Sequence, residues 1–177
     1  MGSPKALLPY RAQNFLERLC DLFRARCSPV IVVLGAGADT IRNGVNCGAT
    51  FVINDRWQTG QTSSLQCGLR AVPTEAAGVL LTLVDHPAVA PETIDALLEA
   101  KGDELVRVPR FQGKRGHPIW FSRALIAEFL ALPEEGAART VVRSHVAETE
   151  FLDLDDPGIV ADIDDPDAYR SLVCAES

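Results

Sequence analysis

The chain has 177 residues, 47% apolar and 23% charged, with 13 Gly and 11 Pro; at roughly 150 residues per domain this is one globular domain, and disordered, collagen-like and fibrous classes are excluded. Seventeen basic against 24 acidic residues leave a formal charge of −7, with no basic stripe, so neither nucleic acid nor an anionic membrane is an expected partner. Five cysteines without a C-x-x-C pair fit a reduced, cytoplasmic chain better than a disulfide framework or a zinc site; no apolar run approaches a membrane helix, and the first residues lack a signal peptide's apolar stretch.

From Gln13 to Cys27, Phe15, Leu16, Leu19, Cys20, Leu22 and Phe23 fall on one face of a helix that Pro29 ends. The β-branched run Val30–Leu34 reads as a strand buried on both faces, which favours a parallel sheet. A short helix at Asp39–Asn43, a strand at Thr50–Ile53, a helix at Ser63–Ala71 and a strand at Val79–Val84 follow. Pro91 opens a helix through Ala100. Strands alternating with helices at this spacing predict an α/β domain with a doubly wound sheet. Beyond Gly102, Leu105–Val108 and Pro118–Phe121 read as two strands joined by a glycine-containing turn. Helices at Arg123–Leu130 and Ala138–His145, a strand at Glu150–Leu154 and a last helix opened by Asp165-Pro166 complete the chain.

Ligands of an open α/β sheet bind beyond the carboxyl ends of its strands. Asp85, in Asp85-His86-Pro87, follows an apolar strand and could hold a hard cation or cap a turn. The polar loop from Trp57 to Leu65 leads into a helix; its amides and the hydroxyls of Thr62, Ser63 and Ser64 suit an anion or a base edge, or a plain N-cap. Seven aspartates lie between Asp153 and Asp167, most of them expected as solvated loop and capping residues. Asp162 and Asp164 would project to one side of an extended Val160–Asp164 stretch. His86, His117 and His145 lack metal-motif spacing, and His117 beside a turn reads first as structural. No Gly-x-Ser-x-Gly elbow, dinucleotide loop or Walker loop is present.

In order along the whole chain, Met1-Gly-Ser-Pro-Lys-Ala-Leu-Leu-Pro9, Asn54 with Trp57, Gly60 and Ser63-Ser-Leu-x-x-Gly-Leu69, Asp85-His-Pro87, Arg115-Gly-His-Pro118, Gly136-Ala-x-Arg139 and Asp162-Ile-Asp-x-Pro166 resemble the MobA-like NTP transferase family, especially its cytidylyltransferases acting on the molybdenum cofactor. The resemblance implies a Rossmann-like, three-layer α/β/α fold with a mostly parallel sheet, of the nucleotide-diphospho-sugar transferase type. It implies transfer of a nucleoside monophosphate from an NTP, CTP favoured over GTP, to a phosphorylated acceptor such as molybdopterin, with a molybdenum hydroxylase as a further partner. By the same resemblance Asp85 and Asp162 would hold Mg²⁺, with Asp164 in reserve, and Lys5 would neutralise phosphate charge. Asn54, Gly60, Ser63 and Ser64 would bind the nucleotide, and His117 would lie on the acceptor side. The family's signature begins with an apolar strand and a small-residue loop ahead of the position Met1 matches, so the expected single domain over 1–177 starts one strand late and could be inactive as such. The competing expectation is a non-catalytic, cofactor-binding accessory protein of a molybdenum enzyme, indifferent to loss of Asp85.

Overall fold

The computed structural model describes residues 4–100, 102–133 and 135–174; the Met1–Ser3 part of the signature lies outside them. In chain order the elements are β1 (Pro9–Tyr10), β2 (Gln13–Asn14), α1 (Phe15–Arg24), β3 (Ile31–Leu34), α2 (Ala38–Asn43), β4 (Thr50–Ile53), α3 (Gln61–Arg70) and β5 (Gly78–Leu81). There follow α4 (Pro91–Glu99), β6 (Val106–Phe111), β7 (Lys114–Arg115), β8 (Ile119–Ser122), α5 (Ile126–Ala131), α6 (Ala138–Ser144), β9 (Thr149–Asp153) and α7 (Pro166–Cys174).

The first helix shows how local chemistry sets a boundary. Gln13 and Asn14 pair with Pro9 and Tyr10 in a small hairpin, so α1 begins two residues later than the apolar pattern alone predicts. Asn14 caps it: the side chain accepts from Glu17 N at 2.9 Å and the Glu17 carboxylate accepts from Asn14 N at 3.3 Å, a reciprocal capping box. All six apolar residues of the predicted face are buried.

Strands β3 and β4 pair in parallel, Ile31 opposite Thr50 through Leu34 opposite Ile53. A second sheet has the order β5-β8-β6 with β9 beside β6 and β7 at its tip. Strand β8 is antiparallel to both β5 and β6, whereas β9 is parallel to β6; β5, β6 and β9 therefore share one direction against β8 and the short β7, and with β3 and β4 also parallel to each other the strands are mostly parallel in direction. The expected two-strand unit after Gly102 is longer than its apolar pattern suggests. Gln112 and Gly113, at φ 49° and 78°, turn β6 back on itself as β7 before β8 enters the sheet, a return that favours glycine at the second position.

Phe121 of β8 and Phe129 of α5, both fully buried with ring centroids 4.6 Å apart, centre one core with Val106, Val108, Leu125 and Val141. Across the molecule Leu19, Leu22 and Phe23 of α1 meet Val89 and Ile94. Between these regions the expectation for Val30–Leu34 needs correcting. Of β3 only Leu34 is fully buried, and β5 is half-buried throughout. Both strands border an open slot of about 760 Å³, flanked by α1 and α3. Among the described residues no helix is long and apolar enough to cross a membrane.

At the edge, the His145 ring lies 2.9 Å from Glu128 and 3.3 Å from Glu148. The hydrogen bond to Glu128, followed by the carboxylate charges, raises its pKa above the ordinary value. The stabilisation is therefore fully present below the unfolded value of roughly 6.5 and is lost as pH rises through the raised one. The melting temperature of the wild type is expected to fall relative to that of His145→Gln across that window, and parallel profiles would refute the coupling.

Candidate functional site

The chain leaves β5 through Thr82–Val84 and delivers Asp85 beyond the strand's carboxyl end. The Asp85 carbonyl accepts from Ile163 N at 3.1 Å, which anchors the extended segment carrying Asp162 and Asp164 against it. One carboxylate oxygen from each of Asp85, Asp162 and Asp164 lies within 4.8 Å of the others. The structure thus brings together all three predicted acidic residues, Asp164 no less than Asp162. Lys5 joins them, its ammonium donating to Asp164.

The charges of the cluster interact. Partial burial, then the charges of Asp85 and Asp164, push the Asp162 carboxyl above its ordinary value. The Lys5 ammonium holds the Asp164 carboxyl below its own. Asp85 Oδ1 is buried and has no hydrogen-bond partner among the described residues, which is costly for a carboxylate unless a cation meets it. Three convergent carboxylate oxygens of this kind suit a hard divalent ion such as Mg²⁺ or Mn²⁺.

Asn54 follows β4 and is buried. Its Nδ2 donates to Ser63 Oγ at 2.9 Å and to Ser64 Oγ at 3.0 Å, and its Oδ1 accepts from Arg56 N at 3.0 Å. Ser63 Oγ also donates toward the carbonyls of Gly60 at 2.8 Å and Arg56 at 3.0 Å. Asn54, Ser63 and Ser64 therefore brace the loop from within. Gly60, at φ 117°, takes a backbone conformation that an L side chain would strain, and it lines a cavity of about 320 Å³ with Thr62, Gly136 and Arg139. Thr62 Oγ donates to the Gly136 carbonyl, closing that cavity.

His117 lies in the turn after β7, its N donating to the Ile159 carbonyl at 2.9 Å. The preceding residue must be glycine, because a Cβ at Gly116 would lie 2.3 Å from the Ile159 oxygen. The His117 and His86 rings pack with centroids 5.0 Å apart. Burial, then the nearby His86, lowers the His117 pKa. His86 itself, 3.7 Å from Asp85 and buried, is not singled out by the sequence as part of the site. Nor is Asp156, buried among residues expected to be solvated. Its carboxylate accepts from Ala90 N, Thr93 Oγ and Gly158 N at 2.9, 2.6 and 2.8 Å. Its one sequence signal is Asp156-Pro-Gly158, turn chemistry in which an Asp side chain accepts from the backbone two residues on.

The MobA-like NTP transferase domain matches residues 1–149, and the chain belongs to that family. It is 28% identical over 180 residues to the "Nicotine blue oxidoreductase" of Paenarthrobacter nicotinovorans, covering 96% of this chain and 88% of that protein. Among solved structures, Rv0371c from Mycobacterium tuberculosis H37Rv superposes with a TM-score of 0.86 at 31% identity, over 100% of this chain and 91% of that one. The same protein in complex with manganese gives 0.78 at 30% identity, over 97% and 92%. The 2-C-methyl-D-erythritol 4-phosphate cytidylyltransferase from Thermus thermophilus shares the fold, with a TM-score of 0.72 at 20% identity over 98% of this chain and 94% of that one. By this resemblance the chain is a nucleotidyltransferase of Rossmann-like architecture.

Proposed function

We propose that the protein moves a nucleoside monophosphate, CMP in preference to GMP, from the NTP to molybdopterin or a related phosphorylated acceptor, releasing pyrophosphate. The observation that carries this reading is the three-carboxylate cluster at the carboxyl end of β5, with Lys5 beside it and a buried Asp85 oxygen that has no hydrogen-bond partner among the described residues. In the reaction an acceptor phosphate oxygen forms a bond to the α-phosphorus as the bond to the β-phosphate oxygen breaks. Negative charge grows on the α-phosphate and on the departing pyrophosphate.

Asp85 and Asp162, with Asp164 beside them, would hold Mg²⁺ or Mn²⁺, which when bound supplies Lewis-acid stabilisation of that charge. The manganese complex of the mycobacterial relative supports a divalent ion. Lys5 neutralises phosphate charge from the same end of the sheet. Asn54 keeps the loop closed so that Gly60 can border the base, and the cavity of about 320 Å³ beside it, near the lower end of the roughly 300–1,000 Å³ of ligand pockets, suits a pyrimidine. His117, its pKa lowered by burial, offers the acceptor an uncharged hydrogen-bonding ring at neutral pH.

A second reading is redox chemistry, favoured by the name of the 28% identical relative. The test is calorimetric titration with the four NTPs, with and without Mn²⁺, followed by pyrophosphate release in the presence of molybdopterin. Metal-dependent CTP binding tighter than GTP binding is expected. Binding of no NTP, with or without Mn²⁺, would overturn this reading in favour of the second.

A further inference from the structure

We propose that Cys20 and Cys47 form a site of reversible oxidation, closing to a disulfide that joins α1 to the segment leading into β4 when a hydroperoxide reaches the protein. The inference is independent of the reaction assigned above. All five cysteines are free thiols, and what sets this pair apart is the way the chain from Gly44 to Gly48 runs along α1. At the start of the helix Asn14 Nδ2 donates to the Gly44 carbonyl at 3.4 Å, and Asn46 N donates to Glu17 Oε1 at 2.8 Å. At its end a Cβ on Gly48 would lie 2.7 Å from the guanidinium carbon of Arg24. Cys20 stands between Glu17 and Arg24 on one helix face, as Cys47 stands between Asn46 and Gly48.

The contacts on either side therefore bring the two sulfurs together. Both cysteines pack in one core group with Leu16 and Leu34, Cys20 buried and Cys47 half-buried, and their side chains are within hydrogen-bonding reach. A disulfide asks for backbones held close with side chains facing each other, which is what this run of contacts supplies. A metal is the poorer occupant, because the one group of three or more convergent ligating side chains among the described residues is Asp85, Asp162 and Asp164.

Burial divides the roles of the two thiols. Desolvation, then the contact with Cys47, pushes the Cys20 thiol well above its ordinary range, so it stays protonated and resists direct attack. The half-buried Cys47 meets the oxidant first. Its sulfur, the proton passing to solvent, gives an electron pair to one peroxide oxygen as the O–O bond breaks and the other oxygen leaves as hydroxide. The Cys20 sulfur then displaces the hydroxyl from the sulfenic acid on Cys47, and its proton leaves with that hydroxyl as water. Two thiols have lost two electrons and the peroxide has become two waters. The bridge ties the helix that follows the Lys5 segment to the strand that delivers Asn54, so it stiffens two supports of the candidate site.

The test is treatment of the folded wild type with hydrogen peroxide, alkylation of the remaining thiols, and mass spectrometry of a non-reducing tryptic digest. Peptides 19–24 and 43–56, which hold one cysteine each, are expected to appear linked, in a chain lighter by two hydrogen atoms. Because the cross-link restricts the unfolded chain, the oxidised protein should melt roughly 5–10 °C above the reduced one, and dithiothreitol should reverse both changes. Cys47→Ser is expected to leave Cys20 unmodified and to melt alike with and without peroxide. Cys47 carrying two or three oxygen atoms beside a free Cys20 thiol overturns the proposal, as does a bridge that involves another cysteine or joins two molecules. A Cys20–Cys47 link that lowers the melting temperature also overturns it, since the two thiols would then meet only in a distorted chain.

Discussion

Asp85→Asn is expected to weaken Mn²⁺ binding about 100-fold or more while leaving the metal-free protein at least as stable as the wild type. Asparagine keeps the size of the side chain and one acceptor oxygen but removes the charge. In the metal-free state that charge is a burden. It lies within 4.8 Å of two more carboxylates, contributes to the upward shift of Asp162, and has a buried oxygen without a hydrogen-bond partner among the described residues. Neutralising it relieves repulsion, so melting without metal moves upward or not at all. With metal the order reverses. A ligand at 100 times its dissociation constant stabilises the native state by about 2.7 kcal/mol, which for a chain of this size is roughly 5–11 °C of melting temperature. The wild type should show that shift and Asp85→Asn should lack it. If Asp85 merely capped a turn, the variant would melt lower without metal and keep the full metal shift.

Asp156→Ala should cost about 3 kcal/mol of stability, roughly 6–12 °C in melting temperature for a domain of this size. The side chain is 7% exposed and its two oxygens satisfy Ala90 N, Thr93 Oγ and Gly158 N. Truncation strands all three donors in a region that water does not readily reach, at about 1–3 kcal/mol for each that stays unpaired. Gly158 permits this closeness, since a Cβ there would lie 2.3 Å from the Ala88 oxygen. The segment pinned by Asp156 continues into Asp162 and Asp164, so the variant should also bind Mn²⁺ more weakly. Asp156→Asn, which retains an acceptor, should recover part of both losses. Chemical denaturation with a parallel metal titration separates the effects, and a loss below about 1 kcal/mol would place the residue among ordinary capping aspartates.

What the amino-acid order reveals here follows the range of the interactions. The buried face of α1 and the strand Thr50–Ile53 rest on local periodicity, and both are found as expected. Asp162 and Asp164 meet Asp85 because alternate residues of an extended segment share a side, which is again a local rule. The tie from Asp156 to Ala90 and Thr93 spans 66 and 63 positions, and no periodicity reports it. The insertion of β8 between β5 and β6, and the slot beside β5, are equally silent in the pattern, since alternating elements do not say which strands become neighbours. His86 escaped for another reason: it reaches the site by packing against His117, about thirty residues away in sequence.

The ion pair between Lys5 and Asp164 makes the resting site its own counterion store. Under the proposed function, an incoming divalent ion would compete with an ammonium already seated on one of its carboxylates, and its arrival would free that ammonium to face a polyphosphate. Metal and nucleotide would then be linked through a single exchange of partners, each raising the other's affinity by the same factor.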